Sequence, residues 1–394
     1  MNNISLINYK KCFSCRSCFL SCPKNAIEMI ENQEGFFYPK VIEDKCIDCG
    51  LCVKKCPSLN DVKKEDFEQY GLAVISKDKE TLLKSSSGAA SAVIAKKIVS
   101  DGGVVFGVAY DENLFVHHIS CKNESELEKI KGSKYVESFT GETFKEVESY
   151  LKNGQKVLYT GSPCQIAGLK KFLGKDYENL FTMDLICHGV PSRKLFAKYL
   201  DWLGNKYKGK IIYYGFRDKD VGGWSCGGKV KTKTKTKTLE AYLDLYYSAF
   251  LKSKSYRESC YSCPYARIQR IGDLTVGDFW GVEKFYPEID KKNGVSCVLV
   301  NSEKGKALFE FVKESFEITP CKLEEVQKQN WNLNQPSKRP EVRDSFYKDI
   351  DEDCYFSQFV ETKISFIIKW KIKHFVFSVT PRWLKDYIKK ILGK

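Results

Sequence analysis

Eight cysteines near the N-terminus constrain this chain more than any other feature. Cys12, Cys15, Cys18 and Cys22-Pro23 are followed by Cys46, Cys49, Cys52 and Cys56-Pro57, so the spacing C-x2-C-x2-C-x3-C-P occurs twice. Thiolates at this spacing hold cubane iron–sulfur clusters. Two residues between ligands let a compact loop turn three thiolates toward one face of a cluster, and a fourth must then arrive from elsewhere. Zinc knuckles and disulfide frameworks are disfavoured by a register repeated over eight cysteines. Pro23 and Pro57 fix the backbone after the last ligand of each run.

The stretch resembles a bacterial-type double 4Fe-4S ferredoxin domain, and the resemblance extends to Ala26-Ile27 and to Glu34-Gly35-Phe36 between the runs. In such domains the fourth cysteine of each run crosses to the other cluster. The expected ligand sets are Cys12, Cys15, Cys18 and Cys56 for one cluster, and Cys22, Cys46, Cys49 and Cys52 for the other. Such clusters move single electrons, so the rest of the chain is expected to supply or consume them.

At 394 residues and 43% hydrophobic, the chain has room for two or three cored domains. No apolar segment of signal-peptide type precedes Cys12 and no run of eighteen uncharged apolar residues occurs, so secretion and membrane spanning are unsupported. Seventeen cysteines, mostly in metal-ligand spacing, suit a reducing cytoplasm. The net charge of +14 is uneven: residues 363–394 hold nine Lys/Arg against one Asp, leaving +6 for the rest. No base-reading motif accompanies these charges, so nucleic acid is not the expected partner, and solvated surface is favoured over an anionic cofactor or acidic redox partner.

Along the chain, residues 60–69 read as a linker and 71–76 as a buried strand. Lys84-Ser85-Ser86-Ser87-Gly88-Ala89-Ala90-Ser91 then opens a helix over 92–99, where free backbone N–H groups suit either ordinary capping or a phosphate. Strands over 102–110 and 114–120 flank a tight turn, a charged helix covers 123–130, and Lys131-Gly132-Ser133-Lys134-Tyr135-Val136 follows as a solvated turn or an anion and ring site. Two strand–turn–helix units come next: strand 156–159, turn 160–165 and helix 166–173, then strand 180–187, turn 188–191 and helix 192–203. This alternation predicts a largely parallel sheet with ligands at the carboxyl ends of its strands. Cys164 falls in the first of those turns, and Cys187 ends the strand that leads into the second. A strand is expected over 211–217, an exposed edge strand over the Lys/Thr alternation at 229–238, and helix over 239–251. Cys260-x-x-Cys263-Pro264 is half of a further metal site.

Six motifs in order now carry a family resemblance: Ser-Gly-Ala-Ala-Ser at 87–91, Lys-Gly-Ser-Lys-Tyr-Val at 131–136, Gly-Ser-Pro-Cys-Gln at 161–165, Asp-Leu-Ile-Cys-His-Gly-Val-Pro at 184–191, Cys-x-x-Cys-Pro-Tyr-Ala-Arg at 260–267 and Gly-Asp-Phe-Trp-Gly at 277–281. Over roughly residues 1–320 the chain resembles the coenzyme F-420 hydrogenase/dehydrogenase beta-subunit family. The resemblance implies a flavoprotein with FAD and iron–sulfur clusters acting on a deazaflavin or another reducible substrate. It makes Ser87, Gly88, Lys131, Ser133, Lys134 and Tyr135 the flavin candidates and places Cys164, Cys187, Cys260 and Cys263 together as ligands of a third 4Fe-4S cluster. A four-thiolate zinc site would use the same ligands, and Cys164 or Cys187 would also fit as a buried thiol. The family pattern has two glycines after the first serine, whereas this chain has Gly88-Ala89, and a methyl there is expected to crowd a pyrophosphate. His188, beside Cys187 in a strand-end turn, suits a proton donor near neutral pH, and a structural histidine suits the place equally. Cys121, Cys226, Cys297, Cys321 and Cys354 lack partner spacing and read as buried or incidental thiols.

The expected fold is an α+β ferredoxin-like domain (1–62), then an α/β flavin-binding region with a mostly parallel or mixed sheet, divided into 63–152 and 153–335. A basic amphipathic tail covers 336–394. Its two segments within 363–394 suit an anionic membrane surface, or packing on the domain with lysines solvated. The expected function is an FAD and iron–sulfur oxidoreductase exchanging electrons with a small ferredoxin and a reducible small molecule. A non-catalytic electron-transfer subunit, serving for example cell-surface polysaccharide synthesis, is the alternative. The expected location is cytoplasmic, with the tail allowing peripheral contact at the inner membrane surface.

Overall fold

The computed structural model describes residues 2–62 and 66–361, so the basic segments within 363–394 lie outside the described residues. Each cysteine run builds the same local structure. A 3-10 turn precedes the first ligand (Tyr9–Lys11 and Glu43–Lys45), and a one-turn helix carries the third (Ser17–Leu20 and Leu51–Lys54). Matching residues between the first three ligands take left-handed backbone conformations, Ser14 and Asp48 at φ 56° and 52°, Arg16 and Gly50 at φ 65° and 73°. That conformation bends each loop back on itself, turning successive thiols inward. Strands β1 (Ile27–Glu31) and β2 (Phe37–Val41) form an antiparallel hairpin between the runs.

The remaining chain is built on one eight-stranded sheet. Its strands are β3 (Tyr70–Ser76), β4 (Val104–Tyr110), β5 (Val116–Cys121), β6 (Val157–Gly161), β7 (Leu180–Leu185), β11 (Leu274–Asp278), β12 (Ser296–Val300) and β13 (Phe316–Cys321); β8 (Tyr213–Gly215), β9 (Gly227–Lys231) and β10 (Thr236–Glu240) form a separate three-stranded sheet. The large sheet runs β13-β3-β12-β11-β7-β6-β4-β5. Its parallel pairs are β4–β6, β6–β7 and β7–β11, while β4–β5, β11–β12, β12–β3 and β3–β13 are antiparallel. The sheet is thus mixed rather than largely parallel: the strand–helix alternation that forces parallel pairing holds only around β4, β6, β7 and β11. Segments 63–152 and 153–335 both contribute strands to it.

Alternate residues of a central strand face opposite layers. Leu158 joins Ile94, Ile98, Met183 and Val298 on one face, while Val157 and Tyr159 join Phe144, Ile166 and Leu169 on the other. Both faces are therefore covered by helices, including Ala90–Ser100 and Glu303–Val312 on the first and Thr143–Lys152 and Pro163–Leu173 on the second. A third, aromatic core gathers Phe36, Phe196, Tyr199, Tyr214, Phe216 and Tyr246, and Phe346, Tyr347, Tyr355 and Phe356 of the predicted tail pack into it.

Two local expectations are corrected. The Lys/Thr run is not one edge strand but the hairpin β9–β10, in which Lys231 pairs with Thr236. Thr232 turns it, its Oγ1 accepting from Thr234 and Lys235 N–H. The helix expected over 239–251 is shorter, Leu245–Leu251, because Leu239 belongs to β10 and Asp244 caps the helix by accepting from Tyr247 N–H.

The cysteine-rich domain is tied to this body by polar contacts, most of them buried or partly buried. Arg343 donates to both oxygens of Glu34 at 2.8 Å. Arg257 donates to the carbonyls of Cys12 and Phe37, and Lys194 to that of Gln33. Among the described residues no helix is long and apolar enough to cross a membrane.

Candidate functional site

The eight N-terminal thiols divide into two groups. Cys12, Cys15, Cys18 and Cys56 line one small cavity and Cys22, Cys46, Cys49 and Cys52 another. This partition is the crossed one, with the fourth cysteine of each run beside the three of the other. The first group is buried throughout, while Cys49 is exposed and Cys22 and Cys46 are half-buried. Burial pushes the Cys12, Cys15 and Cys18 thiols up, so as bare thiolates they would be strongly disfavoured. A bound cluster's iron would supply the missing positive charge. Hydrogen bonds to sulfur are already in place, from Ala26 N–H to Cys22 Sγ (3.2 Å) and Asn3 Nδ2 to Cys46 Sγ (3.8 Å).

A second concentration of cysteine lies at the carboxyl ends of β6, β7 and β11. Cys164 follows β6, but it sits in the first turn of the helix Pro163–Leu173 rather than in the expected turn, because Ser162 caps that helix and Pro163 opens it. Gln165 reaches back to accept from Ser162 N–H (3.0 Å), which completes the helix start. Cys187 follows β7. Cys260 and Cys263 come from the 3-10 turn Glu258–Ser262 and the residue after it. The four thiols feel one another: Cys260 is raised by burial and by the charges of Cys187, Cys263 and Cys164. Burial pushes Cys164 up to about 12 and Cys187 up to about 11.

The ion pair of Arg270 and Asp184 locks the two halves of this quartet together. Both side chains are wholly buried, with Arg270 Nη2 2.9 Å from Asp184 Oδ1. Arg270 also donates to Leu185 and Tyr265 carbonyls, and Asp184 Oδ2 accepts from Gly272 N–H at 2.9 Å. The strand end carrying Cys187 is thereby tied to the loop carrying Cys263. A zinc ion would require thiolates about 2.3 Å from one centre. Among the described residues no three His, Cys, Asp or Glu side chains stand together as a single-ion site.

Cys164 and Cys187 also line a cleft of about 500 Å³, together with Ser133, Lys134, Tyr135, Gln165, His188 and Trp280. It continues into a lobe of about 250 Å³ that shares Ser133, Lys134, Gly161 and Asp278 and is lined by Ser85, Ser86, Ser87, Ala89 and Lys131, at the start of the helix Ala90–Ser100. The flavin candidates thus converge on one cleft, with Gly88 as the exception. Gly88 is wedged between β3 and β12, where an added methyl would stand 2.3 Å from Val74 O and 2.5 Å from Ser296 N. Its part is close backbone packing. Ala89, in the position where the family pattern has its second glycine, takes a left-handed conformation at φ 68°.

Lys134 sits where the two lobes meet. Its Nζ donates to the Lys131 and Gly132 carbonyls, and burial lowers its pKa to about 7. Tyr135 stacks on Phe250 with ring centroids 4.4 Å apart. His188 faces the open side of the cleft, reached by solvent; lost hydration lowers its pKa and Asp278 pulls the other way. Several residues had no predicted role. Arg217 lines the smaller lobe and pairs with Asp278, and its Nη2 is buried without a hydrogen-bond partner. Asp278 is further held by Trp224 Nε1 at 2.6 Å, and Trp224 stacks on Trp280 at 4.8 Å. Cys226, expected to be incidental, lines the cleft. Asp278 and Trp280 lay in a recognised motif, but a lone arginine after a short strand offered no comparable signal.

Comparisons with known proteins match separate parts of the chain. Residues 154–326 match the family model for the C terminus of the coenzyme F420 hydrogenase/dehydrogenase beta subunit, and residues 11–60 match the 4Fe-4S dicluster domain. The coenzyme F420-dependent sulfite reductase of Methanocaldococcus jannaschii is 27% identical over 200 residues, 48% of this chain and 29% of that protein. The pyruvate synthase subunit PorD of the same organism is 35% identical over 52 residues, 13% of this chain and 56% of that protein. The ferredoxin-type protein NapF of Haemophilus influenzae is 39% identical over 56 residues, 13% of this chain and 32% of that protein. The chain therefore spans well under two thirds of the curated relatives it matches. Among solved structures, a chain of the F420-reducing [NiFe] hydrogenase complex from Methanosarcina barkeri aligns with a TM-score of 0.48 and 17% identity, covering 77% of this chain and 96% of that one. Residues 11–60 thus match a 4Fe-4S dicluster domain, and residues 154–326 match the C terminus of the coenzyme F420 hydrogenase/dehydrogenase beta subunit, the family whose motifs the chain resembles.

Proposed function

We propose that the chain is an FAD- and iron–sulfur-dependent oxidoreductase, passing electrons between its ferredoxin-type clusters and a reducible small molecule, a deazaflavin or a related metabolite. The observation that carries this reading is that Cys164 and Cys187 line the same cleft as Ser133, Lys134 and Tyr135. The quartet Cys164, Cys187, Cys260 and Cys263 would hold a third 4Fe-4S cluster. Cubanes exchange single electrons and a flavin exchanges two, so the pair supplies conversion between one-electron and two-electron chemistry.

The chain's own residues supply the rest. Cys49 is exposed, the Cys12 group is buried, and Cys164 and Cys187 of the third quartet line the cleft. A small ferredoxin or another redox protein fits as partner at the exposed end. Backbone N–H groups at the start of the helix Ala90–Ser100, with Ser86, Ser87 and Arg217, would hold the anionic end of the dinucleotide. Lys134, with a pKa lowered to about 7, can hold or release a proton at Nζ at neutral pH, and His188 stands in the same cleft. Tyr135 and Phe250 wall the cleft against water. A pure electron-transfer subunit would leave this cleft without a role.

The test is anaerobic purification, FAD titration, and assay of reduced protein with deazaflavin and artificial acceptors. The reading predicts one FAD per chain, lost in Ser87→Trp with iron content retained. A chain with full iron content that binds no flavin contradicts it.

A further inference from the structure

Arg257 lies where the dicluster domain meets the third cysteine quartet, and it is bonded to a ligand residue of each. Its carbonyl accepts from Cys260 N–H at 3.0 Å, and its Nη1 donates to the Cys12 carbonyl at 3.3 Å. The guanidinium is 1% exposed and sits 4.7 and 4.8 Å from the ring centres of Phe36 and Tyr38. Glu137 Oε1 accepts from its Nε and Nη2 at 3.2 and 2.8 Å, while Glu137 Oε2 is buried without a hydrogen-bond partner. The arginine is therefore a fixed cation in a water-poor seam, paired through one oxygen of a buried carboxylate. Two further contacts bring the two cysteine groups close in this seam: Cys15 packs on Gly168, one turn beyond Cys164, and Tyr265 feels the charges of both Cys164 and Cys15.

Reducing a cluster adds one negative charge, and a nearby buried cation stabilises that form far more than a solvated one would. We propose that Arg257 sets the reduction potentials of two neighbouring clusters together, the one on Cys12, Cys15, Cys18 and Cys56 and the one on Cys164, Cys187, Cys260 and Cys263, with Glu137 limiting its effect. The proposal rests on the reading of the second quartet as a cluster site. The hydrogen bonds and ring contacts of Arg257 include no residue of the outer group Cys22, Cys46, Cys49 and Cys52.

The test is an EPR-monitored anaerobic redox titration of the full holoprotein with dithionite, comparing the native chain with Arg257→Gln, Arg257→Lys and Glu137→Gln. Arg257→Gln is expected to lower two of the three midpoint potentials by about 59 mV or more, a tenfold change in the oxidised-to-reduced ratio of a one-electron couple, leaving the third unmoved. Arg257→Lys keeps the charge and should stay near the native values. Glu137→Gln should raise the same two. Distortion of the seam would not give opposite signs for the two neutralising variants. The proposal is overturned if Arg257→Gln moves no couple or all three alike, or if Glu137→Gln moves potentials in the same direction. Should Arg257→Gln lose a cluster, near-native potentials in Arg257→Lys together with raised potentials in Glu137→Gln support the proposal, and unraised potentials in Glu137→Gln overturn it. A native chain with only two couples contradicts the third-cluster reading instead, and the effect of Arg257 is then read on the Cys12 cluster alone.

Discussion

The side chain of Cys15 rests on Gly168: a methyl built there would stand 2.7 Å from Cys15 Cβ and 3.0 Å from its Sγ. Gly168 lies in the helix that carries Cys164 in its first turn, so that helix is a shared wall between two groups of thiols. Gly168→Ala should therefore push a cluster ligand out of place. The expected cost is about 2 kcal/mol, as for overpacking of a tight core, with iron and one EPR signal of the dicluster domain lost. Iron analysis with EPR checks this, and a variant with native iron content would count against the close approach.

Glu34 and Arg343 tie the cysteine-rich domain to the chain beyond the sheet. Arg343 is fully buried and Glu34 is 26% exposed, so removing the carboxylate strands a guanidinium away from water. Glu34→Ala should lower stability by about 3 kcal/mol. Arg343→Met removes both the charge and the need for its partner, and should cost less. Thermal unfolding of the two holoproteins, side by side, gives the order.

Ala89 takes a conformation that costs a residue with a Cβ about 1 kcal/mol relative to glycine. Ala89→Gly is expected to raise the melting temperature slightly and to tighten FAD binding, since Ala89 also lines the smaller lobe of the cleft. Lowered stability in this variant would show that the left-handed turn is not strained.

His118 is stacked on Tyr159 with centroids 5.2 Å apart, and burial lowers its pKa to about 4. In the unfolded chain its pKa is about 6.5. Between those values the unfolded state binds a proton that the native state refuses, so stability falls as pH drops through this window, by on the order of 3 kcal/mol. His118→Gln keeps a donor toward the Thr160 carbonyl and should flatten that part of the profile. Melting temperatures from pH 7 to pH 4 test it; an unchanged slope contradicts the role.

What the sequence revealed depended on whether the chemistry was local. The N-terminal ligands were legible because three thiolates on one cluster demand fixed spacing, and the crossed partition was what the resemblance to double-cluster ferredoxins implied. Cys164 was misplaced by one element although Ser162, Pro163 and Gln165 spell a helix start, because the glycine before them favoured a turn. The Lys/Thr alternation fits a strand on either side of Thr232, so period alone could not reveal the reversal. Arg257 and Glu137 are 120 residues apart and each is a lone charge in sequence. Only the sheet and the docked dicluster domain bring them together. Arg217 was missed for the same reason: its partner Asp278 arrives from β11.

Electron transfer from the dicluster domain to the cleft turns on whether Cys164, Cys187, Cys260 and Cys263 hold a third cubane there. Iron, zinc and acid-labile sulfide per chain, with EPR, should be determined on anaerobically purified native protein and on the Cys260→Ser/Cys263→Ser variant. About twelve irons and as many sulfides are expected in the native chain, falling to about eight in the variant, with no zinc in either. About eight irons in the native chain, zinc in place of the remainder, or an iron content untouched by the double substitution would overturn the third cluster.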